Sequence, residues 1–225
     1  LYDREGNSLA EGEIHGQNGG YPIAIALSND AVKLAVSMIN INEGSVKSTI
    51  AFYNYGTVGQ NEIDHCVGVN NYDDMVIPEM EFTSNDRMVA FGDTKAVIFE
   101  GAQKPQAIAE IPMDEKTKSI FYNEHYIGIV TGNEDEAVTN HLAVYDENGK
   151  LVMEKDFGLD YSSIEFLTNN EICIRNANVC DIYTVHGVYK FHHEFEEELF
   201  EIIPGKLKLN YTLVLKDTTQ RIRLK

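Results

Sequence analysis

Short runs in which apolar and polar residues alternate recur from one end of the chain to the other, each closed by an Asn, Asp or Gly turn. Alternation over four to eight residues is the period of a half-buried β-strand. Asn, Asp and Gly suit the turns because they tolerate positive φ or hydrogen-bond their own backbone. The first copy of the unit is Ile23-Ala-Ile-Ala-Leu27, the turn Ser28-Asn29-Asp30, then Val32 to Ser37. The second is Met80 to Phe82, Ser84-Asn85-Asp86, then Met88 to Phe91. The third runs Ser119 to Tyr122, Asn123-Glu124, Tyr126 to Val130, and the fourth Ser163 to Leu167, Asn169-Asn170, Glu171 to Ile174. A fifth, weaker copy is Leu199 to Ile203, Pro204-Gly205, Tyr211 to Leu215.

Downstream of these hairpins lie strings of one type: Ala51-Phe52-Tyr53-Asn54, Val97-Ile98-Phe99-Glu100, Val144-Tyr145-Asp146, Ile182-Tyr183-Thr184 and Arg221-Ile222-Arg223, with Leu1-Tyr2-Asp3 preceding them all. Glycine follows all but the last within four residues, at Gly6, Gly56, Gly101, Gly149 and Gly187, as a strand running into a tight turn requires. Fourth-strand candidates follow: Glu62 to Val69, Gln106 to Ile111, Lys150 to Phe157 and Val188 to Phe195. The hairpin turns at 29, 85, 123, 169 and 205 are spaced by 56, 38, 46 and 36 residues, a mean of 44. Four short strands per 40–45 residues is the period of a β-propeller blade.

The fold class predicted is all-β: a single propeller domain over 1–225 with about five four-stranded blades visible. A two-layer sandwich is the rival, but it does not require the same four-strand order to repeat. Small residues in inner strands, such as Ala24 and Ala26, fit blades that crowd an axis. Helix content is expected below about one tenth of the chain, against a base rate near one third. The one helical contender is Phe191, Phe195 and Leu199 at spacing four. Ile25, Leu34, Phe82, Val89, Ile129, Val144, Phe166 and Ile174 are expected among the most buried residues.

The ends do not match. The chain opens inside a third-strand string at Leu1, continues through a fourth-strand candidate, Ser8 to Ile14, and closes after Ile222 to Leu224. Six third strands therefore stand against five upstream hairpins. The expectation is an incomplete ring, part of one with six to eight blades, whose open edge pairs with N-terminal residues preceding Leu1 or with another chain. Lys206, Lys208, Arg221, Arg223 and Lys225 would then guard that edge against copies of itself. In the alternative, five blades close and Ser8 to Ile14 pairs with Arg221 to Leu224.

Composition narrows the partners. Eighteen basic against 36 acidic residues give a net charge of −18. That field repels phosphate backbones, so nucleic acid is not an expected partner. The longest apolar run, Ile23 to Leu27, is far short of the roughly 20 residues of a membrane helix, so this segment inserts in no bilayer by a helix. The basic residues from Lys206 to Lys225 follow five glutamates between His192 and Glu201, an arrangement that reads as mutual neutralisation on adjoining strands or as a basic docking patch.

Candidate chemistry is sparse. A hairpin turn centred on Asn176–Ala177 would set Cys173 opposite Cys180, close enough to pack as small apolar side chains or to bridge. Adding His186, His192 and His193 gives no compact zinc spacing, and strand alternation points His192 and His193 to opposite faces. The acidic turns Asp146 to Gly149 and Asn133 to Glu136 lack the ligand order of a calcium loop. No Gly-x-Ser-x-Gly elbow and no phosphate-cradling glycine loop occur. No catalytic, cofactor-binding or metal-binding residue is assigned, and no cofactor is expected. Two functions remain: a non-catalytic module binding a protein or peptide, and a carbohydrate-active or small-molecule enzyme using carboxylates such as Glu79, Glu81, Glu165 and Glu198, with Tyr72, Tyr122 and Tyr161 as sugar platforms.

In layout, though in no diagnostic motif, the repeat resembles WD40-like and quinoprotein-like propellers over essentially the whole chain. It departs from both in having no tryptophan. The Trp-Asp dipeptide and the tryptophan-docking motif are therefore missing, and the resemblance implies neither quinone binding nor the cytosolic WD40 scaffold roles. The layout is also similar to membrane-anchored propeller proteins of Gram-positive gut bacteria. That likeness implies an extracytoplasmic location with an anchor in a preceding N-terminal segment, and it transfers no functional residue.

Overall fold

A computed structural model describes residues 2, 5–8, 20–42, 44–56, 66–113, 116–132 and 139–224, and among them there is no helix. The chain divides into two compact units, Leu1–Glu115 and Lys116–Lys225. The first unit holds two antiparallel sheets. Sheet one is β1 (Tyr21–Leu27), β2 (Lys33–Asn42), β3 (Ser45–Asn54) and β4 (Cys66–Asp73); sheet two is β5 (Glu79–Ser84), β6 (Arg87–Phe91), β7 (Lys95–Glu100) and β8 (Gln106–Pro112). The second unit holds three. Sheet three is β9 (Thr117–Tyr122), β10 (Tyr126–Gly132), β11 (Asn140–Asp146) and β12 (Leu151–Phe157). Sheet four is β13 (Ser163–Phe166), β14 (Glu171–Arg175), β15 (Val179–Thr184) and β16 (Tyr189–Glu194). Sheet five has three strands among the described residues: β17 (Leu199–Pro204), β18 (Asn210–Leu215) and β19 (Thr219–Arg223).

In every sheet the strands are hydrogen-bonded in chain order, so all five predicted hairpins, and the third and fourth strands predicted within the described residues from 20 onward, take their expected places. The glycines that close sheets three and four, Gly149 and Gly187, have φ of 76° and 78°, a conformation that costs an L side chain and not glycine. The described part of the first fourth strand begins at Cys66 and runs on to Asp73. Tyr2 and Ser8 form an isolated bridge. The expected strand Ser8 to Ile14 and its pairing with 221–224 lie otherwise outside the described residues, as do 62–65, 133–136 and Lys225.

Alternation builds a core between consecutive sheets within each unit. Ala26, Ala35, Ile50 and Phe52 of sheet one pack against Phe82, Met88, Ala90, Val97 and Phe99 of sheet two, with the Phe52 and Phe99 rings 5.1 Å apart. Phe121, Leu142, Val144, Met153 and Phe157 of sheet three meet Ile172, Ile174 and Tyr183 of sheet four. The other face of sheet four, with Cys173, Cys180 and Ile182, meets Ile202, Tyr211 and Leu213 of sheet five. The hairpin turns also touch: Lys33, almost wholly buried, donates to the Asn85 carbonyl and pairs with Asp86, and Asn123 donates to the Asn170 side chain at 2.8 Å.

Two expectations are corrected, one on burial and one on register. Ile25 is 59% exposed. It lies on the face of sheet one away from sheet two, whereas its neighbours Ala24 and Ala26 take the inter-sheet positions. Leu34 and Phe166 are half-buried, while Phe82, Val89, Ile129, Val144 and Ile174 are buried as expected. The β14–β15 register differs as well: Cys173 stands opposite Ile182 and Cys180 opposite Arg175, because the turn takes in Asn176 to Val179. The stretch Phe191 to Leu199 is strand, turn and strand, since β16 pairs with β15 through Glu194.

Candidate functional site

Among the described residues β19 is the last strand of its sheet and is paired with β18 alone. Its register with β18 sets Ile222 opposite Tyr211 and Gln220 opposite Leu213, both partners being core residues facing sheet four. Arg221 and Arg223 therefore project from the opposite face. Beside this edge lies a groove of about 490 Å³. Its floor is Leu213, Leu215 and Ile222 of sheet five with Leu224 just past β19, its wall is Phe191, His193 and Phe195 of sheet four, and Glu194, Glu196, Glu197 and Arg223 line it as charged groups. The His193 ring stands edge-on to Phe195 at 4.6 Å and stacks on Phe191 at 6.0 Å. An apolar trough beside unpaired strand groups is what a fourth strand would fill.

The first four sheets show what such a strand contributes. In sheet three, β12 supplies Met153 and Phe157 to the inter-sheet core. Two third–fourth strand pairs carry salt bridges, Lys47–Asp73 at 2.9 Å and Lys95–Glu110 at 2.7 Å, and the other two carry histidine–carboxylate contacts, His141–Asp156 at 2.8 Å and Asp181–His192 at 2.7 Å. Arg221 and Arg223 of β19 have no ion-pair partner among the described residues.

A polar cluster joins sheets four and five. Glu171, buried at the start of β14, accepts from the Lys190 ammonium and from the Tyr211 hydroxyl, and Lys190 also lies 3.2 Å from that hydroxyl. Burial and the bond to Glu171 push the Tyr211 phenol up. At Lys190 burial works to lower the pKa, and the bonds to Glu171 and Tyr211 outweigh it, leaving the ammonium held above its ordinary value. Nothing in the sequence signals this trio, whose members are 19 and 21 residues apart on three strands of two sheets.

The residues weighed from sequence are scattered. Glu165 lies 3.6 Å from Arg175, and Glu198 is exposed. Glu79 and Glu81 occupy alternate positions of β5, where burial and then Glu79 raise the Glu81 carboxyl. Tyr72 packs against the first core beneath Lys95, and burial pushes its phenol up to about 12. Tyr161 bonds Ser119 at 2.8 Å, and Tyr122 is half-buried. The Cys173 and Cys180 sulfurs are 3.6 Å apart as free thiols, and their mutual bond together with burial drives the Cys173 pKa upward. His192 bonds Asp181 on one face while His193 meets the aromatic wall on the other. Asp146 spends one carboxylate oxygen on the amides of Asn148 and Lys150, both at 2.9 Å, closing its own turn. Among the described residues no three His, Cys, Asp or Glu side chains converge as a metal site.

A family model described as a family of unknown function (DUF5711) matches residues 1–224. No curated protein matches the chain. Among solved structures it is similar to Chaetomium thermophilum Sqt1, at 12% identity and TM-score 0.53, covering 86% of this chain and 56% of that one. It is also similar to the β-propeller domain of the Trilobed protease from Pyrococcus furiosus, described as having an open velcro topology, at 10% identity and TM-score 0.51, covering 90% and 70%. The Neurospora crassa Pan2 WD40 domain matches at 11% identity and TM-score 0.46, covering 95% and 68%. At such identities the likeness shows the fold alone: propeller-type sheets.

Proposed function

We propose, for a chain that belongs to the family of unknown function DUF5711, a non-catalytic role: a propeller module that binds an extended protein or peptide segment at the open edge of its fifth sheet. The observation that carries this reading is the 490 Å³ trough beside β19, in the position that a fourth strand takes in the other four sheets. Strand addition joins main-chain hydrogen bonds to pockets for alternate side chains, and the trough and the unpaired strand offer both. The open velcro topology of the Pyrococcus furiosus propeller lends support, since it is a propeller described as unclosed. The ring is read accordingly as incomplete. The extracytoplasmic location belongs to the same proposal, and protease accessibility of the chain in intact cells tests it.

Selection of binders from a displayed library of random linear peptides tests the reading, with Ile222→Asp as the control variant. Ile222 is half-buried in the trough, and a carboxylate there spoils its apolar floor. Binders that lose affinity at least roughly tenfold for that variant support the site. Binders indifferent to it, with the variant folded by circular dichroism, contradict it.

A further inference from the structure

The hairpin turn of sheet five departs from the other four. Those carry Ser28-Asn29-Asp30, Asn85-Asp86, Asn123-Glu124-His125 and Asn169-Asn170, and none of them holds a lysine or arginine. Between β17 and β18 the chain instead runs Gly205-Lys206-Leu207-Lys208-Leu209, so two of the lysines expected to guard a sheet edge stand in a turn. The turn is tied down: the Asn210 N–H donates to the Leu207 carbonyl at 3.2 Å, and the Leu224 N–H donates to the Leu209 carbonyl at 2.8 Å. Leu209 has φ 67°, a left-handed conformation that a leucine adopts only at a cost. Leu207 is 73% exposed, which leaves an apolar side chain in water with a lysine on either side.

Between this turn and sheet four lies a cavity of about 510 Å³, a volume typical of small-molecule sites. Its lining carries three lysines, Lys190, Lys206 and Lys208, against one carboxylate, Glu171. Glu171 is nine-tenths buried, and its two oxygens are already engaged by Lys190 and by the Tyr211 hydroxyl. Lys206 and Lys208 have no ion-pair partner among the described residues. In a chain of net charge −18 the cavity thus holds two uncompensated positive charges. The Asn210 side-chain amide, in the same lining, makes no hydrogen bond among the described residues and is free to donate. We infer that this cavity binds a small organic phosphate monoester, its dianion held by Lys206, Lys208 and the Asn210 amide, its short apolar tail lying against Leu207 and Leu209. A dianion matches the two ammonium groups, which bind phosphate as point charges, whereas a monocarboxylate leaves one of them unanswered. The site is independent of the strand-docking trough, with which it shares no residue.

The test is isothermal titration calorimetry on the full 225-residue chain at a pH of about 8, where a phosphate monoester is doubly charged. The probes are hexyl phosphate, inorganic phosphate, hexanoate and hexyltrimethylammonium. Hexyl phosphate should bind one to one and at least roughly tenfold more tightly than inorganic phosphate, the gain from burying about two methylene groups. It should lead hexanoate by a similar factor, and added salt should weaken it. In the folded double variant Lys206→Gln, Lys208→Gln its affinity should fall at least roughly tenfold. The double variant Lys150→Gln, Lys216→Gln removes as much charge from exposed positions outside the cavity and should leave affinity unchanged. Hexanoate binding as tightly as hexyl phosphate overturns the assignment of a dianion. No binding of hexyl phosphate, equal binding of the cation, or equal losses in the two double variants overturns the site.

Discussion

Removing Glu171 should be a strongly damaging polar change in the C-terminal unit. The carboxylate is the shared acceptor for Lys190 and Tyr211, and Tyr211 is only 2% exposed. Glu171→Ala leaves the phenol O–H without its acceptor, which costs about 1–3 kcal/mol. It also strands the Lys190 ammonium. A fully buried charge left unpaired costs about 3–5 kcal/mol. The Lys190 side chain keeps 20% of its surface in solvent and relaxes part of that penalty by turning outward. The expected loss is therefore about 2–4 kcal/mol, or at about 3 kcal/mol a fall in Tm of roughly 6–12 °C for a chain of this size. Glu171→Gln, which keeps an acceptor for the hydroxyl, should lose about half as much. With Lys190→Met, the double variant should fall short of the sum of the single losses by about 1–3 kcal/mol. The cluster also predicts an alkaline limit. The Lys190 and Tyr211 pKa values are both raised by folding, so the folded state holds protons that the unfolded chain releases. This stability is present at neutral pH and is lost as pH rises through the folded-state values above about 10. Glu171→Ala should flatten that decline. Thermal melts by circular dichroism from pH 7 to 11 measure each of these quantities. A loss below about 0.5 kcal/mol, or strict additivity with Lys190→Met, would refute the role assigned to the cluster.

Other expectations follow from single contacts. An added Cβ at Gly128 would come within 2.2 Å of the Phe121 ring, so Gly128→Ala should cost about 1–3 kcal/mol in chemical denaturation, with part of the loss recovered by Phe121→Leu. Lys33→Ala removes the buried ammonium that ties the first hairpin turn to Asn85 and Asp86, and should destabilise the N-terminal unit by about 1–3 kcal/mol on urea titration. In native protein an aromatic disulfide reagent should modify Cys66 first, with Cys173 and Cys180 reacting only on unfolding, since both are buried. Glu81 has a carboxyl pKa raised by burial and by Glu79, so its folded form holds the proton longer, and stability falls as pH rises through the acid range. Glu81→Gln should raise Tm at neutral pH, and that gain should disappear as the solution is acidified.

The local chemistry of this chain is legible because every hairpin carries its own turn signal. Asn29-Asp30, Asn85-Asp86 and Asn169-Asn170 mark turns that the fold makes, and Gly149 and Gly187 mark the returns into fourth strands. What alternation does not reveal is which face of a strand has a neighbour. Ile25 and Ala26 alternate perfectly, yet the smaller residue is the buried one, because sheet two lies on its side. The cysteine register was hidden by turn length: a turn of Asn176 to Val179 shifts the pairing by two residues, although the thiols still meet diagonally at 3.6 Å. Glu171, Lys190 and Tyr211 come together only when two sheets pack, which no local spacing encodes.

Amide hydrogen exchange at β19 tests the central claim most directly. Among the described residues 219–223 pair with β18 alone, so the amides on the other side should exchange fast in the free chain if that edge is open. Saturation with a peptide selected for binding that Ile222→Asp abolishes should slow exchange across 219–223 and around Phe191 to Phe195, and leave the turns of sheets one to three unchanged. Protection confined to any other strand, with 219–223 exchanging as before, would contradict the account.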